Sequence, residues 1–576
     1  MVFQAILVAL IATCASWWFN HIITRSWLYP LWSGFLVGCV MGQPLEGAMI
    51  AAAINLPYVG FITAGGTMPG NPQFAGTVGT ALALASGMDV ATATSIGVLL
   101  GSLGILLWNM YMSINAIWVH MAEKQLEKGN YYAVRFYNYV PSFFLSLILN
   151  GLPAFLAVMF GSEVTPILTQ MPQWLMDIFN IAGGILPALG VAMLLNFLGK
   201  GKLLGFFFLG FFITVYIQLP VFADDGTLTG LQNFPTMGVA VLGTILAVLM
   251  YQFDKRNSDA PGILESFKDM KAETKDMKKK EPYLRKRDLV KTWALGYSSE
   301  CAYNYERLQA MGNANAFIPV INRLYPKKKR PGELKKYMNF FNTEPSFIGP
   351  IIQGVTSAME ETRAQGEDIK ADDIVSLRSS LMGPIAGMGD TVSQSIIYPI
   401  LAGICIQFAL AGNIAGPIIF EVAYKTLLIV IGYNMFMLGY KQGKVAILNF
   451  LRTGVLDRIM ESVSIVGLMV IGNMAVNNVK FSVPAVFEFD NSLGGVSLNL
   501  QTQVFDALLP GMLPLAIVLV FFIMIKKRVK PTTVILLSFG IAIAYVIVVT
   551  LTGGYGTFDQ IVQNCSDAFT NIGSWF

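Results

Sequence analysis

Charged residues are scarce in this 576-residue chain, where Asp, Glu, Lys and Arg together make up only 13% of the sequence. Soluble globular proteins carry about 25% charged residues, and 54% of this chain is hydrophobic. Such a balance over this length excludes an ordinary soluble protein and predicts a membrane protein. The net charge of +4 is also too small to indicate a nucleic-acid-binding protein.

Cysteine, histidine and nucleotide-binding motifs are also rare or missing. The five cysteines lie far apart with no C-x-x-C pair, which argues against a disulfide framework or a metal site. Only His21 and His120 occur, and both end apolar runs beside tryptophans, so we interpret them as membrane-interface anchors rather than phosphoryl carriers. Since no G-x-x-x-x-G-K-[ST] motif is present, ATP-driven transport by this chain is not expected. We therefore predict no metal, no cofactor and no catalytic residue.

The few charges are concentrated in the middle of the chain. Residues 1–253 hold 14 of the 74 charged residues, whereas the 37 residues 254–290 hold 19. A segment of that composition cannot be buried in lipid and is typical of a solvated helix or coil. We predict a membrane domain 1–253, a charged cytoplasmic linker 254–287 and a second membrane domain 288–576.

Long apolar runs fill most of the remaining sequence. A membrane-spanning helix needs about 20 mostly apolar residues, and twelve runs approach that length. They predict an all-α integral membrane protein, built as a multi-span helical bundle. The predicted spans are 3–20, 28–41, 90–118, 142–160, 177–198, 203–221, 235–253, 392–411, 415–438, 454–478, 505–525 and 532–552.

Two further apolar segments, 43–56 and 64–86, are too short or too interrupted by Gly and Pro to cross a membrane alone. Irregular backbone at membrane depth is tolerated only where it is buried in protein or lines a wet cavity. Broken or re-entrant helices in transporters therefore tend to mark the substrate site. The two segments predict a polar pocket inside the membrane domain.

Basic residues predict the orientation of the spans. Lys200 and Lys202 follow one span and four basic residues follow another at 526–530, so both ends should face the cytoplasm. The loop 222–234 has acidic but no basic residues and should lie outside. A G-x-L-P sequence stands 12 or 13 residues before Lys200 and Lys526, which suggests two related halves.

Isolated amides mark candidate binding residues in the first half. The Gly- and Pro-rich stretch 65–77 contains Asn71 and Gln73, and Asn55 stands alone within an apolar run. Amides both donate and accept hydrogen bonds, which suits the hydroxyls of a sugar. The functional interpretation is a re-entrant loop that presents these amides to a ligand, and the alternative is an ordinary turn between helices.

Acidic residues mark candidates in the second half. Asp390 follows a glycine-rich stretch and precedes a predicted span, so it either caps a helix N-terminus or points into the pocket. An ionisable side chain at membrane depth is costly, which favours a functional role. Glu360 lies beside Glu361 and Arg363, and the alternative for Glu360 is a salt-bridged helix face.

The second half contains a series of short motifs, YERLQAMG (305–312), FFNTEP (340–345), GVT (354–356), MEE (359–361) and MGPIAGMGD (382–390). Through these motifs, residues 288–552 resemble the IID subunit of the mannose/fructose/sorbose family of the bacterial phosphoenolpyruvate-dependent sugar phosphotransferase system. Through 180–184 and the 65–77 stretch, residues 1–253 resemble the IIC subunit of the same family, so the first domain is IIC-like and the second IID-like. The chain thus looks like a fused IIC–IID permease.

The resemblance implies an elevator-type permease that is assembled as a homotrimer in the bacterial plasma membrane. It would import a hexose-type sugar, which a partner IIB (or IIAB) protein phosphorylates at the cytoplasmic face; some members also serve as bacteriocin docking sites. The substrate-binding residues that we predict are Asn55, Asn71, Gln73 and Asp390, with Glu306, Asn342 and Glu360 as second choices. The alternative is an ion-coupled secondary carrier without phosphorylation, in which Asp390 would hold the ion.

One departure from the family bears on the sugar. Mannose-type IIC sequences align Glu and Asp with the positions of Asn55 and Asn71 in this chain. Because charge-assisted hydrogen bonds are about twice as strong as neutral ones, the change to amides predicts a different sugar preference. An amino sugar, a neutral ketose and an anionic sugar all stay open.

Overall fold

The structure is a computed structural model, and it is helical nearly throughout. Asp89 shows how the sequence begins a long helix, since its carboxylate accepts hydrogen bonds from the backbone N–H groups of Ala91 and Thr92 at 3.0 and 3.1 Å. The residues that the structure describes are 1–61, 70–164, 166, 172–199, 201–222, 228–256, 283–452, 455–483, 486–489 and 496–551.

The described part of the first half contains thirteen α-helices and one β-hairpin, with strands β1 (Gln218–Phe222) and β2 (Leu228–Asn233) pairing antiparallel. The helices are α1 (Val2–Trp17), α2 (His21–Thr24), α3 (Pro30–Met41), α4 (Pro44–Tyr58), α5 (Pro72–Phe74), α6 (Thr80–Ser86), α7 (Val90–Glu127), α8 (Ala133–Ser146), α9 (Leu152–Phe160), α10 (Gln173–Ile185), α11 (Pro187–Leu198), α12 (Leu204–Tyr216) and α13 (Thr236–Arg256).

The described part of the second half contains eleven α-helices and a second antiparallel hairpin of β3 (Val486–Phe489) and β4 (Val496–Asn499). The helices are α14 (Lys286–Gly296), α15 (Ala310–Leu324), α16 (Arg330–Lys335), α17 (Pro350–Ala364), α18 (Ala371–Asp390), α19 (Tyr398–Leu410), α20 (Ala415–Arg452), α21 (Val455–Asn477), α22 (Asp506–Leu508), α23 (Met512–Lys526) and α24 (Pro531–Leu551).

Seven described helical segments are long and apolar enough to cross a membrane, judged by length and composition, and an eighth is a pair bent by 63° between α22 and α23. Four shorter apolar helices accompany them. Each of the twelve predicted spans coincides with one of these, which confirms the all-helical membrane fold. The short helices are Val2–Trp17, Pro30–Met41, Gly201–Tyr216 and Glu461–Asn477.

The two segments predicted to be too short or too interrupted to cross a membrane alone differ from each other. Residues 43–56 lie in one uninterrupted helix, α4, whose small residues are buried and whose 15 residues are too few for a membrane span. The segment 64–86 lies outside the described residues up to position 69, and its remainder is interrupted by a π-helical turn at Ala75–Gly79. Further π-helical turns stand at Leu147–Gly151 and Thr391–Ile397. Such turns occur often at functional sites.

Helices of the two halves pack directly against each other. In α12, Gly210 contacts the backbone of Met469 in α21 so closely that an added Cβ would clash with the Met469 carbonyl oxygen. Small residues allow this approach of helix backbones within a membrane. The backbone N–H of Lys480 also donates to the Gly184 carbonyl oxygen at 2.9 Å. The described parts of the two halves therefore share one packed core.

Candidate functional site

Asp390 lies inside one continuous candidate span, Ala371–Leu410, at the point where α18 passes into the π-helical turn. Its half-buried carboxylate accepts a hydrogen bond from Gln394 Nε2 at 2.9 Å. Because the helix continues through this residue, the helix-cap interpretation of Asp390 is wrong. The neighbouring Gly389 packs against the side chain of Glu344, so two carboxylates approach each other here.

Glu344 is a buried acidic residue that the sequence analysis did not select, although it lies within the FFNTEP motif. Its carboxylate accepts hydrogen bonds from three backbone N–H groups, those of Ser346 (2.9 Å), Phe347 (2.9 Å) and Ile348 (3.1 Å). Backbone N–H donors stabilise a buried carboxylate in its charged form. Glu344 therefore holds the turn that precedes α17 in place.

A buried ionic group joins the two halves next to Glu344. The Glu300 carboxylate lies 3.0 Å from His21 Nε2 and 3.4 Å from Arg25 NH1, and it accepts a hydrogen bond from Gln309 Nε2 at 3.0 Å. His21 Nδ1 lies 3.1 Å from the Ser346 hydroxyl oxygen. All of these side chains are buried, so His21 is not a membrane-interface anchor: its apolar neighbours belong to the protein core.

Burial and charge act in opposite directions on these groups, which lie outside the candidate spans. Burial alone would raise the pKa of Glu300, but His21, Arg25 and Gln309 outweigh it and hold that pKa below its usual value. Burial lowers the pKa of His21 despite the nearby Glu300 charge. Glu300 is therefore ionised and balanced by Arg25, while His21 is neutral near pH 7.

Asn342 lies close to this group. Its side-chain oxygen accepts a hydrogen bond from the Tyr303 hydroxyl at 2.8 Å. Tyr303 in turn lies near both Glu300 and Asp390. The next residue, Thr343, donates its backbone N–H to Gln309 Oε1 at 3.0 Å. The structure thus brings two of the predicted residues, Asn342 and Asp390, to one buried polar cluster.

The three predicted amides of the first half differ in what they contact. Asn55 accepts from the Leu31 backbone N–H at 3.2 Å and donates to the Tyr398 hydroxyl across the boundary of the halves at 2.9 Å. Asn71 caps α5 and donates to the Gly104 carbonyl oxygen at 2.9 Å. Gln73 is fully buried, yet neither amide atom has a hydrogen-bond partner within the described residues.

The structure does not bring Glu306 and Glu360 to this cluster. Glu306 is exposed, and its carboxylate lies 2.8 Å from His120 Nε2. Glu360 is fully buried in a separate network, where it pairs with Lys336 at 2.5 Å and accepts hydrogen bonds from the hydroxyls of Tyr325 and Tyr337. That network is a salt-bridged one, as the alternative interpretation of Glu360 supposed. Sugar contact by any predicted residue stays a prediction.

A cavity of about 940 Å³ lies between the halves at the C-terminal end of α19. Gln407 Nε2 donates to Asn478 Oδ1 at 2.9 Å, and the Asn478 amide nitrogen is buried without a partner among the described residues. No predicted site residue lines the cavity. Its polar lining was missed because its members are far apart in sequence; they are Thr94, Asn180, Gln407, Asn477, Asn478, Lys480, Ser482 and Tyr545.

The cavity and the buried cluster contact the same span. At 1.5 Å per residue, the 17 residues from Asp390 to Gln407 correspond to roughly 25 Å. The cavity amides lie at one end of this span and the Asp390 carboxylate lies near its middle. Such groups can form hydrogen bonds with a polyol at successive positions. Among the described residues, no group of three or more His, Cys, Asp or Glu side chains is arranged to hold a metal ion.

Comparison with known proteins matches the two halves of the chain to two different components of one family. Residues 283–551 match the model of the PTS system mannose/fructose/sorbose family IID component, and residues 2–249 match that of the PTS system sorbose-specific IIC component. A sorbose-specific EIID component of Lacticaseibacillus casei is 33% identical over 261 residues, which cover 45% of this chain and 92% of that protein.

Two further proteins are similar to parts of the chain. A mannose-specific EIIC component of Escherichia coli K12 is 27% identical over 235 residues, covering 40% of this chain and 82% of the relative. A chain from a solved complex of the mannose transporter ManYZ with microcin E492 is 30% identical; the alignment covers 46% of this chain and 97% of that one, with a TM-score of 0.28. On the family matches to both segments, the chain belongs to the mannose/fructose/sorbose family of the phosphotransferase system and joins a IIC and a IID component in one polypeptide.

Proposed function

We propose that this permease imports a hexose-type sugar and that a partner IIB protein phosphorylates the sugar during translocation. The observation that carries the proposal is the amide-lined cavity between the halves, which adjoins the span that holds Asp390. Cavities of 300–1,000 Å³ with a few convergent polar groups are typical of small-molecule sites. Phosphorylation makes entry one-way, because the charged product cannot recross an apolar barrier cheaply.

In this proposal the sugar first contacts the cavity amides and then moves to the buried cluster around Asp390. Asp390 would take sugar hydroxyls there, and Gln73 would take them on the side of the first half, since neither atom of its amide has a hydrogen-bond partner among the described residues. The movement would be of the elevator type, with one group of helices sliding against a static scaffold. The assembly would be a homotrimer in the bacterial plasma membrane, with IIB at the cytoplasmic face. Bacteriocin docking stays a prediction that rests on the family alone.

Uptake by membrane vesicles tests the coupling. With phosphoenolpyruvate and the soluble partner proteins present, we expect the sugar to accumulate as its phosphate. An uncoupler of ion gradients should leave this uptake largely intact, because phosphoryl transfer rather than an ion gradient drives it. An ion-coupled carrier would lose its uptake under the same treatment. Accumulation of free sugar without phosphoenolpyruvate would reject the proposal.

The variant Asp390→Asn tests the site within the same assay. It should reduce uptake at least tenfold, because the sugar loses a charged acceptor. The level of the variant in the membrane should stay normal, since Asn has nearly the same shape as Asp and the position is only half-buried. The matched control is Asp372→Asn, which alters an exposed carboxylate in the first turn of the same helix. A collapse of membrane levels specific to Asp390→Asn would make Asp390 structural.

A further inference from the structure

A second cavity, of about 600 Å³, lies where the N-terminal end of α8 meets α14 and α15. Three cationic side chains line it, Arg135, Lys291 and Arg323, together with one carboxylate, Asp288. The pocket therefore carries a net charge of +2. Nothing in the proposed sugar route uses it, and it stands at the end of the candidate span Ala133–Val164.

The cations of this pocket are incompletely neutralised. Arg135 uses its Nε to donate to Asn315 Oδ1 at 3.0 Å, and neither Arg135 nor Lys291 pairs with a carboxylate in the described part of the chain. Arg323 donates from Nε to the Tyr283 carbonyl oxygen at 3.0 Å and lies 4.0 Å from Asp288. Guanidinium groups with unused N–H donors match phosphate oxygens well, so the pocket suits an anion.

An exposed apolar stripe begins at the pocket and follows the span. Residues four apart lie on one face of a helix, and here every fourth residue is a large apolar side chain exposed by 39% or more. The stripe starts at the pocket residue Tyr132 and continues along α8 and α9. Its members are Tyr132, Phe136, Val140, Phe144, Ile148, Leu152, Leu156 and Phe160.

We propose that this pocket binds the headgroup of an anionic phospholipid whose acyl chains lie along the stripe. The charge of the pocket complements a phosphodiester, and the stripe continues from it in the direction in which acyl chains would run. Basic pockets between membrane helices are a known way to hold anionic lipid headgroups. A free anion would use the cations but not the stripe, and a second copy of the chain would use the stripe but not the cations.

Lipid titration of the purified full chain in detergent tests the proposal, with the thermal unfolding midpoint and native mass spectrometry as readouts. Dioleoylphosphatidylglycerol should bind and raise the midpoint, whereas dioleoylphosphatidylcholine should bind at least tenfold more weakly. Dihexanoylphosphatidylglycerol, with the same headgroup and short chains, should also bind more weakly. An equal shift from inorganic phosphate, without any dependence on chain length, would overturn the proposal in favour of a free anion.

Charge-removing variants locate the site. R135Q/K291Q/R323Q should weaken phosphatidylglycerol binding at least tenfold, while the matched control K327Q/K328Q/K329Q, which removes three exposed cations outside the pocket, should bind like the wild type. If the triple variant does not fold, the exposed Lys291→Gln alone should still weaken binding about threefold. Equal lipid binding by the pocket variant and the control variant would contradict the proposal. The variant Phe136→Ser tests the stripe: a changed oligomeric state with unchanged lipid affinity would assign the stripe to a second copy of the chain and would also contradict the proposal.

Discussion

Asn71 and Gln73 lie two residues apart in the first half and are both buried, yet their hydrogen bonding differs completely. The Asn71 side chain is satisfied by the Phe74 N–H and the Gly104 carbonyl oxygen. Gln73 has no partner among the described residues, and an unsatisfied buried amide costs about 1–3 kcal/mol. Asn71 therefore stabilises the loop, whereas Gln73 keeps hydrogen-bonding capacity that the proposed sugar would use.

Substitution of each amide separates these roles. Gln73→Leu loses no hydrogen bond among the described residues, so the stability should be unchanged or higher. The KM for sugar uptake should rise about threefold to tenfold for one lost hydrogen bond. Asn71→Ala loses a helix cap, so the free energy of unfolding should fall by about 1 kcal/mol. Thermal unfolding and uptake kinetics measure both; a destabilised Gln73→Leu with an unchanged KM would reverse the assignment.

His21 predicts how stability depends on pH. Burial holds its pKa below the ordinary value of 6.5, so the unfolded chain takes up a proton near this pH while the folded chain does not. Because the unfolded state binds more protons, the free energy of unfolding should fall as the pH drops below about 6.5, by at most ~1.4 kcal/mol per unit for this site.

The variant His21→Gln should flatten this dependence between pH 7 and 5. The matched control is His120→Gln, which changes the exposed histidine and should keep the wild-type slope. Thermal unfolding at a series of pH values measures the slopes. The account of His21 is contradicted if both variants and the wild type lose stability equally with acid.

The sequence predicts some residues of the site and not others for a physical reason. Asp390 and Asn342 can be selected as candidates from the sequence, because a carboxylate or an amide in an apolar or motif-bearing stretch is locally unusual; their contact with sugar stays a prediction. His21 and Glu300 were not, because their roles come from a contact between residues 279 positions apart. No local pattern signals such a pair, and the FFNTEP motif was the only available signal for Glu344.

Among the helices, apolar run length was enough to predict the seven candidate spans and the bent pair of the described residues, since twenty apolar residues can hardly adopt another structure in a bilayer. Four other predicted spans coincide with helices that are shorter than a span. Helix breaks were less predictable. The Gly- and Pro-containing segment 43–56 forms one helix because its Pro44 stands in the first turn, where proline is tolerated. By contrast, the π-helical turn Thr391–Ile397 contains neither Gly nor Pro, so no residue type revealed it.

The packing of α12 against α21 gives a prediction for a helix pair. Gly210→Val should lower the free energy of unfolding by about 2 kcal/mol, because the added side chain overpacks against the Met469 backbone. The matched control in the same helix is Gly205→Val, where an added Cβ meets no atom within 4 Å. Thermal unfolding of the purified variants measures the difference, and equal midpoints would show that the helices separate readily.

For the molecule as a whole, we expect contact between the halves to hold them together even without their covalent connection. Hydrogen bonds such as that of Asn55 with Tyr398 and that of the His21 N–H with the Tyr297 carbonyl oxygen cross the boundary within the core. The predicted domain limits at 253 and 288 stay a prediction, and most of the predicted linker lies outside the described residues.

Separate expression of the halves tests this view. Residues 1–256 and 283–576, produced together as two polypeptides, should assemble and restore at least half of the wild-type uptake, whereas neither half alone should transport. Co-purification through a tag on one half measures assembly. Loss of assembly despite normal levels of both pieces would mean that the connecting segment, rather than the packed core, joins the halves.

The central claim is that the sugar passes between the two halves, from the cavity amides to the cluster around Asp390. The most direct measurement is an experimental structure of the full chain bound to a sugar that it transports. The account predicts a sugar in hydrogen-bond contact with side chains of both halves, such as Asn180 and Asn478. A sugar bound to residues of one half only, away from their boundary, would contradict it.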